Sequence, residues 1–168
     1  MRLIGFDPGL RNTGWGVIDS KNNILSHVAN GVVSSTPGTE LALRLVELYE
    51  GIIEVIREYN PQEAAVEETF VNKNAVSTLK LGQARGIALL APAHSKLKVS
   101  EYPPNLVKKT VVGTGHASKE QIQAMVRMLL PNAQPFSADS ADALAISICH
   151  AHHRETTKRI IKSSQGKC

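Results

Sequence analysis

At 168 residues, 42% of them hydrophobic and with a mean hydropathy of -0.11, the chain can bury one sizeable core but is too short for two comfortable domains. Two cysteines exclude a disulfide framework, and no stretch approaches the ~18 consecutive apolar residues of a membrane span. The net charge of +4 hides an asymmetry: residues 1–84 carry seven Lys/Arg against ten Asp/Glu, and residues 85–168 carry twelve against five.

The chain enters directly on a strand-like run, Arg2–Asp7, with no apolar leader, so no secretory signal is expected. Reduced Cys149 and Cys168 fit a cytoplasmic setting. After the Pro8-Gly9 turn, Trp15–Asp19 and Ile24–Ser34 read as strands of an antiparallel meander, joined by polar Ser20–Asn23. Leu41, Leu45, Leu48, Ile52, Val55, Ile56 and Tyr59 recur at helical spacing until Asn60-Pro61 stops them. Glu63–Thr69 is a fourth strand, parallel to the first because a helix joins them. Ala75–Leu90 is a helix with small residues at Gly82, Ala84, Gly86 and Ala88, and Leu97–Tyr102 is the fifth strand. Helical pieces follow at Asn105–Val112, Lys119–Leu130 and Asp139–His153, the middle one opened by a Ser118/Gln121 capping box. The expected fold is α/β, a mixed five-stranded sheet flanked by helices. Residues 1–153 form one domain, and 154–168 form a basic, flexible tail.

Four carboxylates occupy unusual places. Asp7 and Glu67 each end an apolar strand, and Asp139 and Asp142 share one face of a helix's first turn. Parallel neighbouring strands would set Asp7 and Glu67 side by side, and period-two alternation lets only one of Glu67 and Glu68 join Asp7. Taken singly, Asp7 also fits a turn-former and Asp139 and Asp142 fit helix-start charges. Taken together they make a nest of hard oxygen donors suited to Mg²⁺ or Mn²⁺. Such a nest fits phosphodiester hydrolysis, in which one ion activates water and a second, ~3.5–4 Å away, stabilises the leaving oxygen. The basic second half fits a polyanionic partner, though mild basicity fits simple solubility as well.

Asp7-Pro8-Gly9-Leu10, Thr13-Gly14-Trp15-Gly16, Val66-Glu67 and Phe70 come first. Tyr102-Pro103-Pro104, Val107-Lys108-Lys109, Val112-Gly113-Thr114-Gly115, Lys119 and Asp139-Ser140-Ala141-Asp142 follow in order. Together they resemble the RuvC family of bacterial Holliday-junction resolvases. The resemblance implies a ribonuclease-H-like fold and a homodimer that makes paired, symmetric nicks in four-way DNA junctions during recombination and repair. It implies Mg²⁺, two ions per site with Mn²⁺ able to substitute, held by Asp7, Glu67, Asp139 and Asp142. Some members carry His at the third acid, where this chain keeps Asp139. Lys108 and Lys119 match basic positions needed for activity, and a branch-migration motor is the implied working partner. The expected products are 5′-phosphate and 3′-hydroxyl ends.

Phe70, in a polar loop after Glu67, either wedges against an unpaired base or anchors its own loop. The Ala75–Leu90 helix, with Val76, Leu79 and Ile87, is either the dimer surface or simple packing on the sheet. Cys149-His150-Ala151-His152-His153 lie consecutively on one helix and cannot surround zinc tetrahedrally, so they read as helix-end His favoured by the dipole. Two other classes compete. An actin-like or sugar-kinase ATP-binding domain shares the Asp-Pro-Gly…Thr-Gly pattern, and a non-catalytic DNA-binding module could use Asn105–Leu130 as a helix-turn-helix.

Overall fold

Residues alternate in duty along β1 (Arg2–Asp7), the middle strand: Leu3, Gly5 and Asp7 face one layer of helices, Ile4 and Phe6 the other. The structure, a computed structural model, describes residues 1–22, 24–68, 74–133 and 137–165, the side chains at 155 and 157–165 excepted. β2 (Asn12–Lys21) pairs antiparallel with β1 and with β3 (Ile24–Ser34). β4 (Glu63–Glu67) pairs parallel with β1, and β5 (Lys98–Tyr102) parallel with β4. The sheet order is β3-β2-β1-β4-β5.

On one face α1 (Leu41–Tyr59) and α2 (Ala75–His94) bury Leu48, Ile52, Ala84 and Ala88 against Ile4, Phe6, Val17 and Val66. On the other, α3 (Pro104–Val112), α4 (Lys119–Leu129) and α5 (Ala138–Gln165) pack Val107, Val126, Leu144 and Ile148 against Leu3, Ile18 and Ala65. This is the ribonuclease-H-like α/β layout that the resemblance implies.

The local signals act as their chemistry dictates. Asn60, at φ 47°, ends α1 in the left-handed region and donates its N–H to the Ile56 carbonyl. Both halves of the Ser118/Gln121 capping box form, and Gly113 closes α3 at φ 91°. Boundaries move where pairing or packing outweighs local preference. β2 starts at Asn12 because Asn12–Gly14 pair with Val32–Ser34 of β3. α2 continues past Leu90 to His94 with Pro92 in its last turns, and α5 continues past His153 to Gln165.

Glycines decide how closely α5 approaches the sheet. A Cβ on Gly5 would lie 2.4 Å from the Ala143 carbonyl oxygen, and one on Gly14 would lie 2.1 Å from that of Asp139. On Gly16 it would meet Leu144 at 2.8 Å. Gly5 pairs with Gly16, and Gly14 with Asp7, so the three make a trough across β1 and β2 in which the first turns of α5 lie. The Ser147 Oγ donates to the Gly16 carbonyl at 2.8 Å and pins the helix there.

Candidate active site

The trough and the strand alternation bring the acids together. Asp7 ends β1 and Glu67 ends β4, both on the α5 face, and Asp142 comes down from the second turn of α5. Asp7, Glu67, Asp142, Lys108 and Lys119 line one cleft of about 270 Å³, walled by Pro104, Val107, Ile122 and Ala145. Asp139 stands at its margin, where it acts on the charges of Asp7 and Asp142 and accepts a long hydrogen bond from Asn12 Nδ2 at 3.5 Å. Asn12 is itself held by the Ser34 hydroxyl, which donates to its Oδ1 at 2.9 Å. Phe70 lies outside the described residues. Glu68 is tied by its amide to the Tyr102 carbonyl, and the cleft takes only Glu67 of that pair.

Proximity shows in the proton affinities. Burial, then repulsion from Glu67, Asp142 and Asp139, pushes the Asp7 carboxyl up to about 8, against the pull of Lys119. Burial and Asp142 push Glu67 up to about 7, with Lys108 and Lys119 opposing. Asp142 is likewise raised, by burial first, then by Asp139, while the two lysines lower it. Among the described residues no three His, Cys, Asp or Glu side chains stand close enough together to hold a metal ion. What stands instead is a set of converging anions whose repulsion two lysines only partly offset. All the donors are hard carboxylate oxygens, a set that fits Mg²⁺ or Mn²⁺ and not a soft metal.

That imbalance predicts a pH effect. An acid raised on folding contributes its stability fully below its unfolded value, near 3.8 for Asp7, and loses it as pH climbs through its folded value. Chelator-treated protein should therefore lose on the order of 2–4 kcal/mol of stability between pH 5 and pH 9. Added Mg²⁺ should restore most of it. Denaturant melts at several pH values, with and without the ion, check both halves.

The family model described as "Crossover junction endodeoxyribonuclease RuvC" matches residues 3–150. The chain belongs to the RuvC family. A RuvC of Paramagnetospirillum magneticum is 58% identical over 163 residues, spanning 97% of this chain and 98% of that one. A RuvC of Brucella anthropi is also 58% identical, over 93% of this chain and 91% of its own length. The structure of T. thermophilus RuvC in complex with Holliday junction substrate superposes with a TM-score of 0.86. It is 32% identical to this chain and covers 94% of it, and 96% of that chain is matched. Membership in the RuvC family displaces the kinase-like and non-catalytic readings.

Sequence reasoning missed two parts of this region. The glycine trough carried a usable signal, since glycines in strand interiors mark a close backbone approach. The histidines were misread. α5 does not end at His153, so the dipole is not what holds them. His150 is buried between Tyr102 and Glu63, and His153 stacks on the Tyr102 ring with centroids 5.4 Å apart.

Proposed function

We propose that the chain, like the relatives named crossover junction endodeoxyribonuclease, hydrolyses phosphodiester bonds in four-way DNA junctions by paired symmetric nicks. The carrying observation is the single cleft that gathers Asp7, Glu67 and Asp142, with Asp139 at its edge and Lys108 and Lys119 on its rim. Those four acids are the residues to hold divalent cations, Mg²⁺ with Mn²⁺ able to replace it, two to a site. When bound, the cations lower the pKa of the attacking water and neutralise charge on the leaving 3′-oxygen. The chain's own groups do the rest. Lys108 and Lys119 bind the phosphate and offset transition-state charge. Pro104, Val107 and Ile122 wall off bulk water on one side. The products are a 5′-phosphate and a 3′-hydroxyl. A cytoplasmic role in recombination and repair beside a branch-migration motor follows, with the basic end of the chain as an appendage to the nuclease domain. Among the described residues no helix is long and apolar enough to cross a membrane.

Two symmetric nicks call for two sites, and α2 supports a homodimer. Its inner face buries Ala84, Ala88 and Ala91, while Val76, Leu79 and Leu90 are 63%, 66% and 55% exposed away from that face. Gly82 and Gly86, with open space where a Cβ would stand, would let a second helix come close. Ile87, expected on that surface, packs against the core instead. On α1, Leu43 and Val46 add exposed apolar area. The test is a junction labelled on all four strands, incubated with Mg²⁺. Symmetric, ligatable nicks in opposed strands and an intact linear duplex are expected. Leu79→Glu should give a monomer in sedimentation and uncouple the two nicks. Equal cutting of duplex and junction would defeat the proposal.

A further inference from the structure

Tyr102 closes β5 directly beside Glu67. The two lie opposite each other in the parallel ladder, and the next amide, that of Glu68, donates to the Tyr102 carbonyl at 2.9 Å. The phenol turns the other way, toward α5. Its oxygen lies 2.9 Å from His150 Nδ1, and His150 Nε2 lies 3.0 Å from Glu63 Oε2. Arg154, one turn further along α5, donates from Nε to both Glu63 oxygens at 2.9 and 3.0 Å.

This row of groups has one polarity. Glu63, ionised beside Arg154, can only accept, so His150 carries its proton on Nε2. Nδ1 is then an acceptor, and the Tyr102 hydroxyl must be the donor. His150 is 3% exposed, so water does not compete for these bonds.

Position gives the row its use. Asp142, Ile146 and His150 follow at intervals of four along one face of α5, which puts His150 about 12 Å from Asp142 along the axis. Under the middle of α5 the contact with the sheet is glycine and small or aliphatic side chains. Apolar burial holds such a helix down without fixing its rotation or height. Directional bonds on two sides do fix it: Asn12 to Asp139, Asn30 to Ser140 and Ser147 to Gly16 on the β2–β3 side, and His150 and Arg154 to Glu63 on the β4–β5 side. Pro103 and Pro104, next in the chain, start α3 and so carry Lys108.

We propose that Tyr102 is a positioning residue that couples the two halves of the cleft. Its carbonyl fixes the backbone just after Glu67, and its phenol, through His150 and Glu63, fixes the rotation of α5 that aims Asp142. The proposal rests on the cleavage reading above.

Tyr102→Phe is the direct test, because it removes one oxygen and keeps the ring against His153. Thermal melting should change by a few degrees at most, and junction affinity should stay within about twofold. Single-turnover cleavage should fall about tenfold or more, as expected when a reacting group is misplaced by a fraction of an ångström. Mn²⁺ affinity, read by paramagnetic resonance on the whole protein, should weaken severalfold. The His150 ring nitrogens should report the Nε2–H tautomer in the wild type and lose that preference in the variant. His150→Gln alone and combined with Tyr102→Phe should show strong non-additivity, since both break one row. Wild-type cleavage and Mn²⁺ binding in Tyr102→Phe, or additive effects in the pair, would overturn the proposal. A wild-type protein that leaves junctions uncut would instead sink the cleavage reading.

Discussion

Replacing Asp7 with asparagine is expected to stop junction cleavage while making the chelator-treated protein more stable. The opposed signs come from one cause. Asp7 is the most crowded acid of the cleft, pushed up to about 8 by burial and by three carboxylate neighbours. Without a cation, ionising it costs free energy that a neutral amide of the same shape does not incur, so a gain of about 1–3 kcal/mol at pH 8 is expected. With a cation, the amide offers one weak oxygen where a charged ligand is needed, and the cleavage rate should fall at least about a thousandfold. Junction binding should persist, because Lys108 and Lys119 are untouched. Melting in chelator, a binding titration and a single-turnover assay give the three readings. A variant that cuts at the native rate would remove Asp7 from the site.

Gly14→Ala should be nearly as damaging, although it introduces only an uncharged methyl group. That methyl would lie 2.1 Å from the Asp139 carbonyl oxygen and 2.5 Å from its carbon. These are backbone atoms and cannot rotate away, so the first turn of α5 must lift or β2 must bend. Either movement draws Asp139 and Asp142 back from Asp7 and Glu67. Overpacking of this kind costs about 1–3 kcal/mol, and a shift of about 1 Å costs about a hundredfold in rate. Stability and single-turnover cleavage should therefore both fall. For stability alone Gly82→Ala is the control, since nothing in the chain lies within 4 Å of a Cβ there and the change should leave the fold unharmed or slightly stabilised.

The meeting of Asp7, Glu67 and Asp142 in one cleft was legible from their joint pattern more than from any one of them. Asp7 and Glu67 finish buried runs, and period two selects Glu67 over Glu68 without knowledge of the sheet. The order of elements followed from periodicity, with α1 and its Asn60-Pro61 stop the plainest instance. Other features depended on partners that one segment cannot reveal. The full length of β2 comes from pairing with β3, not from its own residues. The tie between Glu63 and His150 joins positions 87 apart in sequence, and no local pattern announces it. His150 looked like a helix-end charge because Arg154 and beyond are polar, yet the helix runs on. Trp15 flanked by Gly14 and Gly16 was visible as a motif, but its meaning as a seat for a helix needed α5 in place.

The raised acids also make ion uptake and proton loss a single event. In the ion-free protein burial and mutual repulsion make Asp7 and Glu67 keep their protons to higher pH than ordinary carboxylates do. Every cation that enters must therefore displace hydrogen ions, and its apparent affinity climbs with alkalinity. A site arranged in this way would carry less charge in a magnesium-poor or mildly acid environment.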